Sequence, residues 1–273
     1  MSTDDLTARL EFAVRIARHA GQHTLRYFRQ AELSVDVKAD NTPVTVADRE
    51  AEQLLRTRIA EQYPADGVIG EEFGELAGTS GYRWILDPID GTKSFVSGVP
   101  LYGTLIGLER GGRCDLGVIY LPALNECVYA ATGQQAWYVQ GDAAPVQARV
   151  SQKATLAESV FCTSEVRIFD GLGRRGAFDA LQAAAWTSRT WGDCYGYLLV
   201  ATGRAELMVD PAASVWDAAA LQPILEQAGG TFTDWTGNPT IFSGEGLATN
   251  GQVLDEVLTI TRRFPAQTHD KPM

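Results

Sequence analysis

Residues Trp84 to Thr92 read Trp-Ile-Leu-Asp-Pro-Ile-Asp-Gly-Thr, placing two carboxylates three positions apart at the end of an apolar run, ahead of a glycine and a hydroxyl. The apolar run suits a buried strand. The Asp-Pro step biases Asp87 toward an extended conformation and removes the backbone donor at Pro88, so the chain is expected to turn there. Such a turn can hold Asp87 and Asp90 on one point and leave the Ile89 carbonyl as a third oxygen. Three hard oxygens suit Mg²⁺ or Mn²⁺. If a helix starts near Gly91, the N–H groups of Gly91 and Thr92 are donors at its positive end, where a phosphate would sit. Taken locally, the same residues also suit a plain Asp-Pro turn followed by an aspartate N-cap.

Three further acidic segments carry the same ambiguity. Glu71 and Glu72 follow the short apolar run Val68-Ile69-Gly70, where adjacent carboxylates would ordinarily repel and face solvent. Asp217 opens a helix whose apolar residues Leu221, Ile224, Leu225 and Ala228 recur at helical spacing until Gly229-Gly230, and an acid there can simply complement the helix dipole. Asp48, in Thr45-Val46-Ala47-Asp48, fits a capping box.

Together and in this order, the segments Pro43-Val44-Thr45-Val46-Ala47-Asp48, Gly70-Glu71-Glu72, Asp87-Pro88-Ile89-Asp90-Gly91-Thr92 and Trp216-Asp217-Ala218-Ala219 resemble the inositol monophosphatase superfamily of metal-dependent, lithium-sensitive phosphatases. The third segment is highly specific, and the match spans nearly the whole chain. The resemblance implies that Glu71, Asp87, the Ile89 carbonyl, Asp90 and Asp217 bind two or three ions, Mg²⁺ or alternatively Mn²⁺. It also implies that Asp48 and Thr92, with Glu71, serve catalysis by orienting the attacking water, and that Gly91 and Thr92 contact phosphate. The chemistry is coherent, because a phosphomonoester is a dianion and water is a poor nucleophile, and paired cations address both problems.

No covalent nucleophile stands out. His19, His23 and His269 lie near the chain ends, away from the carboxylate motifs, and Cys114, Cys127, Cys162 and Cys194 are too widely spaced for a Cys-x-x-Cys site. They read as reduced, buried thiols of a cytoplasmic protein. No signal-peptide or membrane-spanning pattern is present. A net charge of −11 opposes nonspecific binding to nucleic acid or anionic membrane. A homodimer acting on a small phosphomonoester is the expected assembly.

The elements that must position these residues read as follows. Leu6 to about Arg29 and Thr45 to Gln62 suit amphipathic helices. Runs at Leu101–Glu109, Cys114–Leu121, Glu126–Ala131 and Ala136–Gln140, separated by turn residues, suit an antiparallel meander. Beyond Ser151 strands and helices alternate: a strand at Ser159–Thr163, helices around Leu172–Ala184 and Cys194–Thr202, a strand at Ala205–Asp210, and the helix after Asp217. With 273 residues, 45% of them hydrophobic, the chain can bury a substantial core. The resemblance implies an α/β (α+β) fold, a layered α/β/α/β/α sandwich. Residues 1–150 would supply most metal ligands, and residues 151–273 Asp217 and the substrate pocket.

Substrate choice has to come from outside the shared acids. Inositol-directed relatives carry a small, uncharged stretch where this chain has Gly192-Asp193-Cys194-Tyr195-Gly196-Tyr197. That stretch, with Thr202-Gly203-Arg204-Ala205-Glu206-Leu207, resembles the histidinol-phosphatase branch of the superfamily. A carboxylate at Asp193 could pair with the substrate's cationic amine, or it could merely cap the helix that follows. Asp210 could face the same pocket or end its strand. Asp193, Asp210 and Asp217 are therefore the substrate-side candidates. A phosphatase for inositol phosphate or another small sugar or nucleotide phosphate would use the same core, and a catalytically silent metal-binding scaffold is the alternative outside enzymes.

Overall fold

The computed structural model describes residues 3–30, 34–37 and 43–265, which leaves His269 outside the described residues. Along the first half run α1 (Thr3–Thr24), the antiparallel pair β1 (Val35–Val37) and β2 (Pro43–Thr45), α2 (Val46–Gln62), β3 (Gly67–Gly70), β4 (Gly74–Leu76) and β5 (Arg83–Asp90). The short α3 (Thr92–Val96) then leads into β6 (Gly103–Arg110), β7 (Arg113–Leu121), β8 (Glu126–Ala131), β9 (Trp137–Gln140) and β10 (Val146–Gln147). The second half holds β11 (Val160–Cys162), α4 (Val166–Gly171), α5 (Arg175–Ala184), β12 (Thr187–Arg189), α6 (Asp193–Ala201) and β13 (Leu207–Asp210). It closes with α7 (Val215–Ala219), α8 (Leu221–Gln227), β14 (Thr231–Thr233), β15 (Gly246–Thr249) and α9 (Leu254–Thr261).

Strands β3 to β10 form an eight-stranded sheet in the order β10-β9-β8-β7-β6-β5-β3-β4, antiparallel except where β3 runs parallel to β5. A five-stranded mixed sheet follows the order β12-β11-β13-β15-β14. Side-chain alternation along the strands builds three cores from these two sheets. Trp84, Leu86, Ile106, Leu116 and Val118 pack against α1 and α2. On the opposite face Ile85, Leu105, Ile119 and Val128 meet α6 and α8, which also cover Cys162, Met208 and Ala248 of the smaller sheet. Phe161, Leu207, Val209 and Leu247 then face α4, α5 and α9. The result is a layered α+β fold with helices outside and between two sheets. The central strands of both sheets are covered on both faces, which is why they read as nearly unbroken apolar runs.

Two helical expectations are corrected. The helix expected across Leu172–Ala184 is divided into α4 and α5, because Gly173 between them adopts φ +68°, a left-handed conformation that ends α4. The first helix ends at Thr24 rather than continuing to Arg29; residues 25–29 form turns that finish with Arg29 at φ +61°. No described helix is long and apolar enough to cross a membrane.

Candidate active site

The chain does not turn at Asp87, as the Asp-Pro step suggested. Strand β5 continues to Asp90 through a bulge: Asp87 pairs with Leu105 and Asp90 with Gly103, so three steps on β5 span two on β6. Pro88 has no N–H to give the ladder, and its carbonyl instead accepts from Thr104 Oγ1 at 2.9 Å. In a regular strand, residues three apart face opposite sides of the sheet. The extra residue reverses that parity and turns Asp87 and Asp90 to one side. Asp87 Oδ1 is further fixed by the Ile89 N–H at 3.1 Å.

Asp217 arrives from the other half of the chain on α7, where its Oδ2 accepts the Ser214 N–H at 2.7 Å. The capping role and the site role therefore coexist in one side chain. Pro223 cannot donate to the Ala219 carbonyl, so the helix breaks into α7 and α8 around Ala220. That break lies against the eight-stranded sheet at two glycines. A Cβ on Gly117 would sit 2.0 Å from the Ala220 carbonyl oxygen, and one on Gly107 would sit 2.7 Å from Ala219 Cβ. Only bare backbone lets α7 approach closely enough to bring Asp217 to Asp87.

Glu71 follows directly on β3, and its N–H donates to the Leu86 carbonyl at 3.3 Å. The turn after it is clamped by the buried Glu52, which accepts the Glu72 N–H at 2.7 Å and the Phe73 N–H at 3.2 Å. Arg56 Nε neutralises that carboxylate at 2.7 Å. Glu52 was not singled out in the sequence. The signal was there: it stands four residues after Asp48, on the same face of α2.

Carboxylate oxygens of Asp87, Asp90 and Asp217 all lie within 4.8 Å of one another. Burial, then Glu71, Asp90, Asp217 and Asp48, push Asp87 well above the ordinary carboxylate range. Burial, then Asp193 and Asp217, do the same to Asp90, against the opposing Cys194 N–H bond to its Oδ2. Burial pushes Asp217 up to about 7 despite its Ser214 bond, with Glu71 adding repulsion. Such a cluster carries charge that the protein itself leaves uncompensated, which is the donor set a hard dication requires.

One cavity of about 390 Å³ is lined by Glu71, Asp87, Ile89, Asp90 and Asp217 on one side. Gly91, Thr92, Lys93, Ser164, Glu165 and Asp193 are among the residues completing it. Gly91 adopts φ +86°, and a Cβ there would lie 3.0 Å from Asp193 Oδ2 and 3.1 Å from the Leu101 carbonyl, so this position is closed to other residues on both counts. Thr92 Oγ1 donates to the Ile89 carbonyl at 3.1 Å. Asp193 is the first residue of α6 at φ +51°, with its N–H donating to Ser164 Oγ at 2.8 Å. The N-cap of α6 is Gly192, so Asp193 lies on the cavity wall rather than capping.

Asp48 and Asp210 are not among the residues lining this cavity. Asp48 Oδ2 accepts both the N–H (2.8 Å) and the hydroxyl (2.6 Å) of Thr45, and burial raises its pKa to about 6, with Glu72 contributing. It stands close enough to the cluster for its charge to raise Asp87. Asp210 accepts the Ser164 N–H at 3.1 Å and the Tyr197 hydroxyl at 2.9 Å. It thus supports Ser164, which supports Asp193. Lys93, Ser164 and Glu165 were not anticipated; Lys93 adjoins Thr92 in sequence, whereas nothing local marks Ser164 or Glu165. All four cysteines are free and buried.

The sequence profile of the inositol monophosphatase family matches residues 5–265. The chain belongs to this family. Its members are metal-dependent phosphatases, and the acid cluster stands where such chemistry needs it. Among relatives, a histidinol-phosphatase from Chlorobaculum parvum is 46% identical, the alignment covering 91% of this chain and 94% of the relative. A histidinol-phosphatase from Mycobacterium tuberculosis is 40% identical over 95% of this chain and 98% of its own length. Among solved structures, an inositol monophosphatase from Zymomonas mobilis superposes with a TM-score of 0.82 at 32% identity, covering 96% of this chain and all of that one.

Proposed function

We propose that this chain hydrolyses histidinol phosphate to histidinol and inorganic phosphate, with Mg²⁺ as the working cation. The observation that carries the substrate choice is the Asp193 carboxylate, set in the cavity wall beside Gly91 and near enough to Asp90 to act on its charge, in a chain similar to histidinol-phosphatases along nearly its whole length. Histidinol phosphate bears a cationic amine beside its phosphoryloxymethyl group, and a carboxylate there forms a charge-assisted hydrogen bond.

Glu71, Asp87, the Ile89 carbonyl, Asp90 and Asp217 would hold the cations. When bound, these ions acidify the water nucleophile and neutralise charge on the phosphoryl and leaving oxygens. Gly91 and Thr92 receive the phosphate at the start of α3. To the Thr92 hydroxyl, on the cavity wall, and to Asp48, whose carboxylate Thr45 fixes within electrostatic range of Asp87, we assign the orientation of the attacking water. Asp210 and Ser164 hold the Asp193 segment in place.

The test is phosphate release from histidinol phosphate, inositol 1-phosphate and glycerol 2-phosphate, by the wild type and Asp193→Asn. Asparagine tolerates the left-handed backbone of position 193, so the change removes charge without adding strain. Losing a charge-assisted bond of about 1.5–3 kcal/mol lowers kcat/KM for histidinol phosphate roughly tenfold to a hundredfold and spares the two esters that lack an amine. A wild type that prefers inositol 1-phosphate, or a variant that harms all three equally, refutes the substrate assignment and leaves a general phosphomonoesterase.

A further inference from the structure

Asp193 is one of two acids on the cavity wall outside the metal-binding cluster. The second is Glu165, one residue beyond Ser164. Because Ser164 Oγ accepts the Asp193 N–H, the segments bearing the two acids are tied together. Glu165 occupies the N-cap position of α4, yet its side chain makes no capping bond there. It reaches instead to Lys93 Nζ, which comes from the other half of the chain and also lines the cavity. The pair is solvent-accessible, with Lys93 67% and Glu165 38% exposed. An accessible pair of this kind holds weakly and opens at little cost. Asp193 feels both partners, Lys93 favouring its charge and Glu165 opposing it, so all three lie within electrostatic range of one another on the cavity wall.

We infer that Glu165 is a specificity residue that accepts the N–H of the substrate's heteroaromatic ring, exchanging its contact with Lys93 for that hydrogen bond as substrate enters. The inference rests on the histidinol phosphate reading and extends it to the part of the substrate that Asp193 does not touch. In that molecule the amine is borne by the carbon next to the phosphoryloxymethyl group, and the ring hangs one carbon further out. With phosphate at Gly91 and Thr92 and the amine at Asp193, the ring would fall to the remaining acid of the same cavity wall, Glu165, whose neighbour Ser164 is bonded to Asp193. A carboxylate accepts from an imidazole N–H, in a bond that strengthens if the ring carries an extra proton, whereas a phosphate ester without a ring offers Glu165 no such donor. Lys93, once released, remains beside Thr92 as a mobile positive charge near the phosphate seat.

Glu165→Gln keeps the side chain's size and removes its charge at an accessible position, so the fold, followed by thermal unfolding, should be unchanged. Three substrates separate the contacts: histidinol phosphate, 2-aminobutyl phosphate, which keeps the amine and lacks the ring, and glycerol 2-phosphate, which lacks both. The expected result is a roughly tenfold loss in kcat/KM on histidinol phosphate alone, carried by KM with kcat nearly unchanged. Asp193→Asn, by contrast, should weaken both amine-bearing substrates. If Glu165→Gln weakens 2-aminobutyl phosphate as much as histidinol phosphate, or leaves histidinol phosphate untouched, the ring assignment is overturned while the amine assignment stands. A wild type that does not favour histidinol phosphate over glycerol 2-phosphate overturns the substrate reading itself, a separate outcome of the same panel.

Discussion

Withdrawing divalent cations should make the stability of this protein fall as pH rises across neutrality. An aspartate whose folded pKa lies above its unfolded value holds its proton more tightly in the native state. The associated stability is intact below the ordinary value near 4 and is lost as pH climbs through the folded pKa. Asp217 rises from 3.8 to about 7, chiefly through burial. Ionising it in the folded, metal-free protein thus costs on the order of 4 kcal/mol. Asp217 keeps part of its surface open to water, which discounts the figure to roughly 2–4 kcal/mol. Asp87 and Asp90 are raised in the same sense by burial and by their neighbours' charges, and Asp48 and Asp210, each at about 6, follow. Part of this is already lost by pH 5, which lies above the unfolded pKa, so for a chain of this size the Asp217 contribution alone corresponds to a fall in Tm of roughly 2–10 °C between pH 5 and pH 8. Thermal unfolding in chelator, repeated in saturating Mg²⁺, measures it directly. Mg²⁺ should raise Tm far more at pH 8 than at pH 5, because only the ionised cluster binds it. Asp217→Asn, which keeps an acceptor for the Ser214 N–H, should flatten the chelator curve. A chelated wild type whose Tm is level or rising from pH 5 to pH 8, or an Asp217→Asn curve as steep as the wild type's, would refute the account of the cluster.

Three further outcomes follow from the same geometry. Asp87→Asn should abolish turnover in Mg²⁺ while leaving the circular dichroism spectrum unchanged; full activity in that variant, with chelator without effect on the wild type, would remove the metal assignment. Thr92→Ala should lower kcat far more than it raises KM, and steady-state kinetics showing only weaker binding would reduce Thr92 to a phosphate contact. Gly117→Ala drives a Cβ into the Ala220 carbonyl and should destabilise the fold by roughly 1–3 kcal/mol while weakening cation binding, since α7 must shift outward with Asp217. Denaturant melts together with Mg²⁺ titration check both parts, and a variant as stable and as tightly metal-binding as the wild type contradicts the close approach.

Much of the architecture was legible because periodicity survives in the sequence. The meander from β6 to β9 alternates between turns rich in glycine and proline, and α2 is bounded by Thr45 and Tyr63-Pro64. Breaks were harder to read. Gly173 ends a helix only because the chain there takes a left-handed turn, and Pro223 divides the Asp217 helix at a place where its apolar spacing continues unbroken. Neither event disturbs the hydrophobic pattern from which helices are inferred.

The acids were named as one set, Glu71, Asp87, Asp90 and Asp217, by the resemblance of their four segments to a known family, and Asp193 by the resemblance of its stretch to one branch of it. Their convergence was not. Three residues of separation on a strand would have sent Asp87 and Asp90 to opposite faces, and only the bulge opposite β6, where Pro88 has no hydrogen to give, turned them together. The separation of 130 positions from Asp87 to Asp217 closed to a few ångströms because two glycines on neighbouring strands let helix backbone rest on sheet backbone. Likewise the sequence did not show that Asp210 stands outside the cavity lining, its oxygens accepting from Tyr197 and Ser164. A sequence specifies which groups can ionise, donate or bind; distances between groups far apart in the chain depend on strand register and close packing, which exist only after the layers have come together.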